Sequence, residues 1–231
     1  ALTATIAVDA LGSENVIGVA MPSKYNSEES LIDAESLADN LKIEFKTIEI
    51  EEIVENFRNT LTAVIGEQLG QTTDENIQSR VRGNILMALS NQTGAMVVST
   101  GNKSEMAVGY STLYGDLAGG YALLKDLYKT EVYNLSNFRN TISNVIPKNT
   151  IDKEPSAELR PDQYDKDSLP DYDLLDKILH LYIEEDSSSE KIISTGIDEN
   201  IVYDVLSKVD RNEYKRKQVA PGVKLTEKAF G

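Results

Sequence analysis

The segment STGNKSE (99–105) sets a threonine hydroxyl, a Gly–Asn turn and a carboxylate close together. A hydroxyl and loop N–H groups at a strand end can hold a nucleotide, and Glu105 can ligate Mg²⁺ or hydrogen-bond a ribose. The same residues also read as a capped turn entering a helix. Asn76 and Arg80 stand four residues apart and share one helix face, while Arg82 points elsewhere. Near a sheet's C-terminal edge Arg80 can clamp a carboxylate or phosphate at two points; otherwise it is a solvated surface charge. Lys125 and Lys129 flank a short, aromatic-rich helix. Lys129, near its start, either neutralises phosphate charge or snorkels on the surface. Lys215, Arg216 and Lys217 form the one basic cluster in a chain of formal net charge −15. That cluster is an anion contact or a plain solvated face.

Other chemistry is excluded by composition. There is no cysteine, so disulfides, thiolate metal sites and a Cys nucleophile are absent from this span. The single histidine, His180, lies in DLLDKILHLYIEE and reads as a helix-face residue, which leaves no Ser–His–Asp assembly. A metal here must use carboxylates, which points to Mg²⁺ rather than Zn²⁺. No Walker A sequence and no complete GxGxxG fingerprint after a strand is present. The pI of about 4.5 argues against nucleic-acid or anionic-membrane partners. No apolar run reaches membrane-spanning length, and the expectation is a soluble, cytoplasmic protein.

The elements that must position these residues follow from periodicity. Residues 1–11 carry helical spacing, and the absence of an initiator Met before a helical pattern predicts that a longer chain precedes it. NVIGVAMP (15–22) predicts a strand buried on both faces. Asn26 and Ser27 can cap a helix over 27–41. KIEFKTIEI (42–50) begins with strand alternation. Residues 51–66 return to helical spacing with Ile53, Phe57, Leu61 and Val64 on one side. Ile77, Val81, Ile85 and Leu89 predict a helix over 74–90, and AMVVST (95–100) a buried strand. Residues 110–127 read as loop, 128–138 as a short helix, and 147–170, with four of the six prolines, as a long polar connection that can act as a lid. Helices follow near 171–185 and 198–210, and SSS (187–189) reads as a turn. This rhythm predicts an α/β protein with a parallel sheet, which binds ligands beyond the C-terminal ends of its strands.

Five stretches together are distinctive: ALTATIAVDALG at the start, ENIQSRVRGNILMALSN (75–91), VVSTGNKSEMAVGYSTLYGDLAGGYALLKDLYKTEVYNL (97–135), IPKNTIDKEPSAELRPDQYDKDSLPDYDLLD (146–176) and YKRKQVAPGVKL (214–225). In order and spacing they resemble the synthetase domain of glutamine-dependent NAD synthetases, over nearly the whole chain. The resemblance implies one domain over 1–231 with a parallel-sheet, nucleotide α-hydrolase-like, Rossmann-like three-layer fold. It implies that ATP adenylates the nicotinate carboxylate of deamido-NAD, that pyrophosphate leaves, and that ammonia attacks the acyl-adenylate. Carried over by position, Thr100, Lys129 and Ser156 match ATP contacts. Asn76, Arg80, Glu105, Asp116 of YGD and Lys215 match deamido-NAD contacts, and Glu105 matches an Mg²⁺ ligand in ammonia-dependent relatives. These residues are expected to converge on one crevice, and the family is typically dimeric.

The resemblance also marks what these residues lack. The family's SGGxDS pyrophosphatase loop should stand immediately before ALTA, and the Cys-dependent glutaminase half has no counterpart. The expectation is that the loop lies upstream in a longer chain, that ammonia comes from solution or from a missing domain, and that these 231 residues alone bind ATP weakly and make no NAD. Two other readings stay open: another ATP-pyrophosphatase amidotransferase of the GMP-synthetase kind, and a degenerate nucleotide-binding or dimerisation module.

Overall fold

Apolar periodicity and caps account for most of the elements. In the computed structural model, which describes residues 1–230, the chain runs through α1 (Leu2–Leu11), β1 (Ile17–Ala20), α2 (Glu28–Leu41), β2 (Glu44–Thr47), α3 (Glu51–Ile65) and α4 (Gln71–Thr93). It continues through β3 (Val98–Ser99), α5 (Lys103–Val108), β4 (Tyr121–Ala122), α6 (Lys129–Ile142) and α7 (Lys148–Asp152). Last come α8 (Tyr172–Leu179), which passes into a π-helical turn (His180–Glu184), then α9 (Ser189–Ile193), α10 (Glu199–Arg211) and α11 (Glu213–Arg216). Ser27 caps α2 as expected, its hydroxyl accepting from the Ser30 N–H, with Glu28 and Glu29 in the first turn where the helix dipole favours them.

The chain forms two compact units, Ala1–Ile85 with Tyr133–Asp167, and Leu86–Val132 with the residues from Ser168 onward. In the first, β1 pairs with β2 in parallel, Ile17 opposite Glu44 and Ala20 opposite Thr47. In the second, β3 pairs with β4 in parallel, Val98 opposite Tyr121. Parallel neighbours need a crossover, and α2 and α5 lie within the two connections. The fold mixes helices with parallel strands as expected, its parallel pairing lying in two separate two-stranded ladders.

The first unit's core is Ile50, Val54, Ile77 and Val81, with Leu61 and Ile85 packed against it. The second unit's core gathers Leu175, Ile178 and Leu179 of α8, Val202 and Val205 of α10, and Ala107 and Val108 of α5. Several expectations need correction. Of the α3 side marked by Ile53, Phe57, Leu61 and Val64, the core takes only Leu61 and adds Val54. Ile53, Phe57 and Val64 are 40%, 48% and 80% exposed. Two overlapping apolar stripes fit a 3.6-residue period, and Ile50 selects the one through Val54. β1 is not buried on both faces, because with a single strand partner Ile17 remains 41% exposed. The strand in 95–100 is two residues long, and the loop 110–127 contains β4. Ser188, expected in a plain turn, caps α9. Among the described residues no helix is long and apolar enough to cross a membrane.

Candidate functional site

The turn after β3 uses every side chain from Asn102 to Glu105. Asn102 and Glu105 form a capping box: the Asn102 side chain accepts the Glu105 N–H at 3.0 Å, and Glu105 Oε2 accepts the Asn102 N–H at 3.2 Å. Between them, the Lys103 side chain is fully buried. Its ammonium donates to Asp126 Oδ1 at 2.8 Å, Glu184 Oε1 at 2.5 Å and Thr226 Oγ1 at 2.8 Å. All three ammonium protons are thereby used, and the Tyr128 and Phe230 rings lie 5.2 and 5.7 Å away. Asp126 also accepts the N–H groups of Leu225 and Thr226, which clips the C-terminal segment to α5. Ser104 donates to Asp176 at 2.5 Å.

Glu105 Oε1 meets Lys129 Nζ at 2.9 Å, with the two side chains 20% and 18% exposed. Lys129 opens α6, its N–H donating to Ser104 Oγ at 2.8 Å and its ammonium lying 5.1 Å from the Tyr172 ring. Thr100 stands exposed at the end of β3. The structure therefore brings Glu105 and Lys129 into direct contact just beyond a strand's C-terminal end. That carboxylate–ammonium pair can receive a charged ligand by exchanging partners.

The other carried-over residues of this unit are engaged around it. Asp116 is exposed and accepts the Thr112 N–H at 2.8 Å. Lys215 donates to the carbonyls of Gly109 and Ser111, both at 2.8 Å, and Arg216 donates to the Ala107 carbonyl at 2.8 Å while stacking on Phe230. Two of the three basic residues at 215–217 thus complement the C-terminal end of α5 and the loop after it. Lys217 pairs with Glu213 on the surface.

In the first unit Asn76 is half-buried and Arg80 is exposed. Arg82 does point elsewhere: it donates to the Met21 carbonyl at 2.9 Å and to Asn26 Oδ1 at 3.1 Å, in the segment after β1. Burial lowers its pKa, opposed by the Glu158 carboxylate. Ser156 shapes its own loop, donating to the Gln163 carbonyl at 2.5 Å and accepting the Glu158 N–H at 3.1 Å. Glu158 gathers Asn26 (2.9 Å), Ser27 (3.0 Å), Ser30 (2.6 Å) and Lys153 (2.8 Å). Burial disfavours its charge, yet the Lys153 ammonium and these donors hold its pKa below the ordinary range.

Sequence reasoning missed Lys103, Ser104, Asp126, Asp176 and the Glu158 cluster. Lys103 and Ser104 lie inside the distinctive stretch NKSE and Glu158 inside SAEL, whereas Asp126 in LLKDLYK and Asp176 in DYDLLDK stand outside both. For a metal, among the described residues no group of three His, Cys, Asp or Glu side chains could hold an ion. Glu105 alone offers one carboxylate, its oxygens engaged by Asn102 and Lys129. A hard cation would need ligand phosphates and water to complete its shell, as Mg²⁺ commonly does.

Residues 1–219 match the family model described as NAD synthase. The glutamine-dependent NAD(+) synthetase of Thermotoga maritima is 52% identical across the whole chain, which spans 40% of that protein. Among solved structures, the glutamine-dependent NAD+ synthetase of Acinetobacter baumannii in complex with ADP is 47% identical, with a TM-score of 0.65, over 100% of this chain and 41% of that one. The NMN synthetase of Francisella tularensis is 27% identical, with a TM-score of 0.77, over 97% of this chain and 83% of that one. The chain thus spans about two-fifths of the curated relatives' length. With the family match running through both compact units, the chain belongs to the NAD synthase family.

Proposed function

We propose that this span is the synthetase domain of an enzyme that amidates deamido-NAD to NAD at the expense of ATP, through an acyl-adenylate, releasing AMP and pyrophosphate. The observation that carries the reading is the Glu105–Lys129 pair, 2.9 Å apart immediately beyond β3, in a chain whose family match runs from 1 to 219. In this reading Thr100, Lys129 and Ser156 serve ATP. Lys129 exchanges Glu105 for a phosphate and offsets charge on the departing pyrophosphate. Asn76, Arg80, Glu105, Asp116 and Lys215 serve deamido-NAD. Mg²⁺, held by Glu105 and the ATP phosphates, would supply further charge neutralisation there. Ammonia, free or released from glutamine by a glutaminase domain, is the nitrogen donor. The enzyme is proposed to be cytoplasmic and a homo-oligomer. The exposed apolar residues Ile53, Phe57, Val64 and Ile65 of α3 support self-association.

The test is NAD formation from ATP, deamido-NAD and ammonium by the full-length protein carrying this span, together with calorimetric titration of each ligand. Lys129→Ala is expected to weaken ATP binding about tenfold and to leave deamido-NAD binding within about twofold. A response to XMP in place of deamido-NAD would redirect the assignment to a GMP-synthetase-like amidotransferase. Absence of binding by either dinucleotide or ATP would leave a non-catalytic module.

A further inference from the structure

Lys129 is held at both ends by one helix. Its ammonium lies over the ring of Tyr172, the first residue of α8, and one turn later on that helix stands Asp176, only 6% exposed. The Asp176 carboxylate accepts three hydrogen bonds: from Ser104 Oγ at 2.5 Å, from the Thr130 N–H at 2.9 Å and from Thr130 Oγ1 at 2.8 Å. Ser104 Oγ in turn accepts the Lys129 N–H at 2.8 Å.

The reason for this arrangement lies at the start of α6. The first N–H groups of a helix have no partner within it and ordinarily rely on a short polar cap residue. Here the residue before Lys129 is Tyr128, only 4% exposed, whose hydroxyl reaches Glu184 instead. The first N–H groups are therefore satisfied by other side chains: the Tyr128 N–H by Glu131 of the same helix at 2.7 Å, the Lys129 N–H by Ser104 of α5, and the Thr130 N–H by Asp176 of α8. Two of these three bonds end on the same carboxylate, directly or through Ser104. A lysine side chain has four freely rotating methylenes, so its ammonium can be aimed only if its Cα and its stem are both fixed. α8 supplies both constraints. Burial raises the Asp176 pKa, while the bonds from Ser104 and Thr130 act in the opposite direction and favour its charged form.

We propose that Asp176 is a positioning residue for Lys129, acting through Ser104 and Thr130 to aim its ammonium at the phosphates of ATP. The inference rests on the assignment of Lys129 to ATP given above. In an enzyme so built, the worth of Asp176 to nucleotide binding exists only while Lys129 is present.

The experiment is a double-mutant cycle on ATP affinity, read by calorimetry in the full-length protein, with wild type, Asp176→Asn, Lys129→Ala and the double variant. Asp176→Asn keeps the size and an acceptor for Thr130 but replaces the acceptor facing the Ser104 hydroxyl with a donor. It is expected to weaken ATP binding about fivefold to tenfold, to leave deamido-NAD binding within about twofold, and to add nothing in the Lys129→Ala background. Additive losses, or equal losses for both ligands with a falling Tm, overturn the positioning role while leaving Lys129 an ATP contact. Unchanged ATP affinity in Lys129→Ala overturns the assignment of Lys129 itself, and the proposal with it. Should Asp176→Asn fail to fold, Ser104→Ala gives the same cycle, because it breaks the relay and leaves the Asp176 carboxylate in place.

Discussion

Glu105 and Lys129 satisfy each other at 2.9 Å on adjoining helix starts, and Glu105 simultaneously caps α5 through the Asn102 N–H. A phosphate arriving at Lys129 must displace this carboxylate. The pair is partly buried, so its worth is above that of a fully solvated pair, about 1 kcal/mol after allowing for screening. Glu105→Gln keeps an acceptor for the Asn102 N–H and removes the competing charge. Titrated with ATP in EDTA, this variant is expected to bind about threefold to fivefold more tightly than wild type. With deamido-NAD it is expected to bind more weakly. ATP binding that weakens in EDTA would show that Glu105 does not compete for Lys129.

The buried Lys103 ammonium balances two carboxylates at once. Replacing it with methionine keeps the apolar stem but leaves Asp126 and Glu184 facing each other without a cation. Stranding a buried charge in this way costs about 3–5 kcal/mol, corresponding to a Tm drop on the order of 10 °C at this chain length. The double variant Lys103→Met with Asp126→Asn removes one of the stranded charges and is expected to recover part of the loss. Thermal melts followed by circular dichroism check both. A single variant as stable as wild type would mean that the ion cluster contributes nothing to the fold.

Acid should act on the same cluster with a definite sign. Burial disfavours the Asp126 carboxylate, but the Lys103 ammonium, the N–H groups of Thr226 and Leu225 and the Thr226 hydroxyl outweigh it, and its folded pKa lies below the ordinary carboxyl range. The unfolded chain then binds the proton more readily. The stabilisation is therefore complete above the unfolded value of about 4 and is lost as pH falls through the lower folded value. Asp126→Asn lacks this dependence. The Tm gap between wild type and Asp126→Asn is expected to be widest near neutrality and to close below about pH 4. A gap that stays constant with pH would assign the effect of the substitution to packing. Asp176, whose pKa is raised by burial, acts oppositely, so the comparison needs the Asp126 variant rather than the wild-type curve alone.

What was legible from the sequence is what local pattern controls. The four-residue repeat of α4 correctly buries Ile77 and Val81, Ser27 caps α2 as its type and place require, and β1, β2 and β3 sit within the runs that read as strands, whereas β4 lies in 110–127, which reads as loop. The α3 face was illegible because two apolar stripes share that helix, and only contact with Ile50 and Ile77 decides between them. In NKSE the residue types suggested a carboxylate for ligand binding, and Glu105 does stand beside Lys129. Burial of Lys103 depends on Asp126, 23 residues away, and on Glu184, 81 residues away. No local pattern announces that a lysine will turn inward when the charges that compensate it arrive from such distances.

Gly109 offers a sharper test of how α5 is terminated. It holds φ 72, and its N–H bonds to the Glu105 carbonyl. A Cβ there would fall 2.0 Å from Asn212 Cγ. Asn212 is not free to swing aside, because its amide donates to the Val108 carbonyl at 3.0 Å and to the Lys208 carbonyl at 2.8 Å. Gly66 ends α3 at φ 82 with nothing within 4 Å of the place an alanine methyl would take, which makes it the matched control. Gly66→Ala should cost only the left-handed backbone penalty of about 1 kcal/mol. Gly109→Ala should cost that penalty plus the displaced Asn212 bonds, about 2–4 kcal/mol in all. Because the Gly109 carbonyl also receives Lys215, the second substitution is expected to weaken deamido-NAD binding as well, whereas the first should leave it unchanged. Equal Tm losses for the two variants would mean that Asn212 yields without cost and that the end of α5 is not fixed by it.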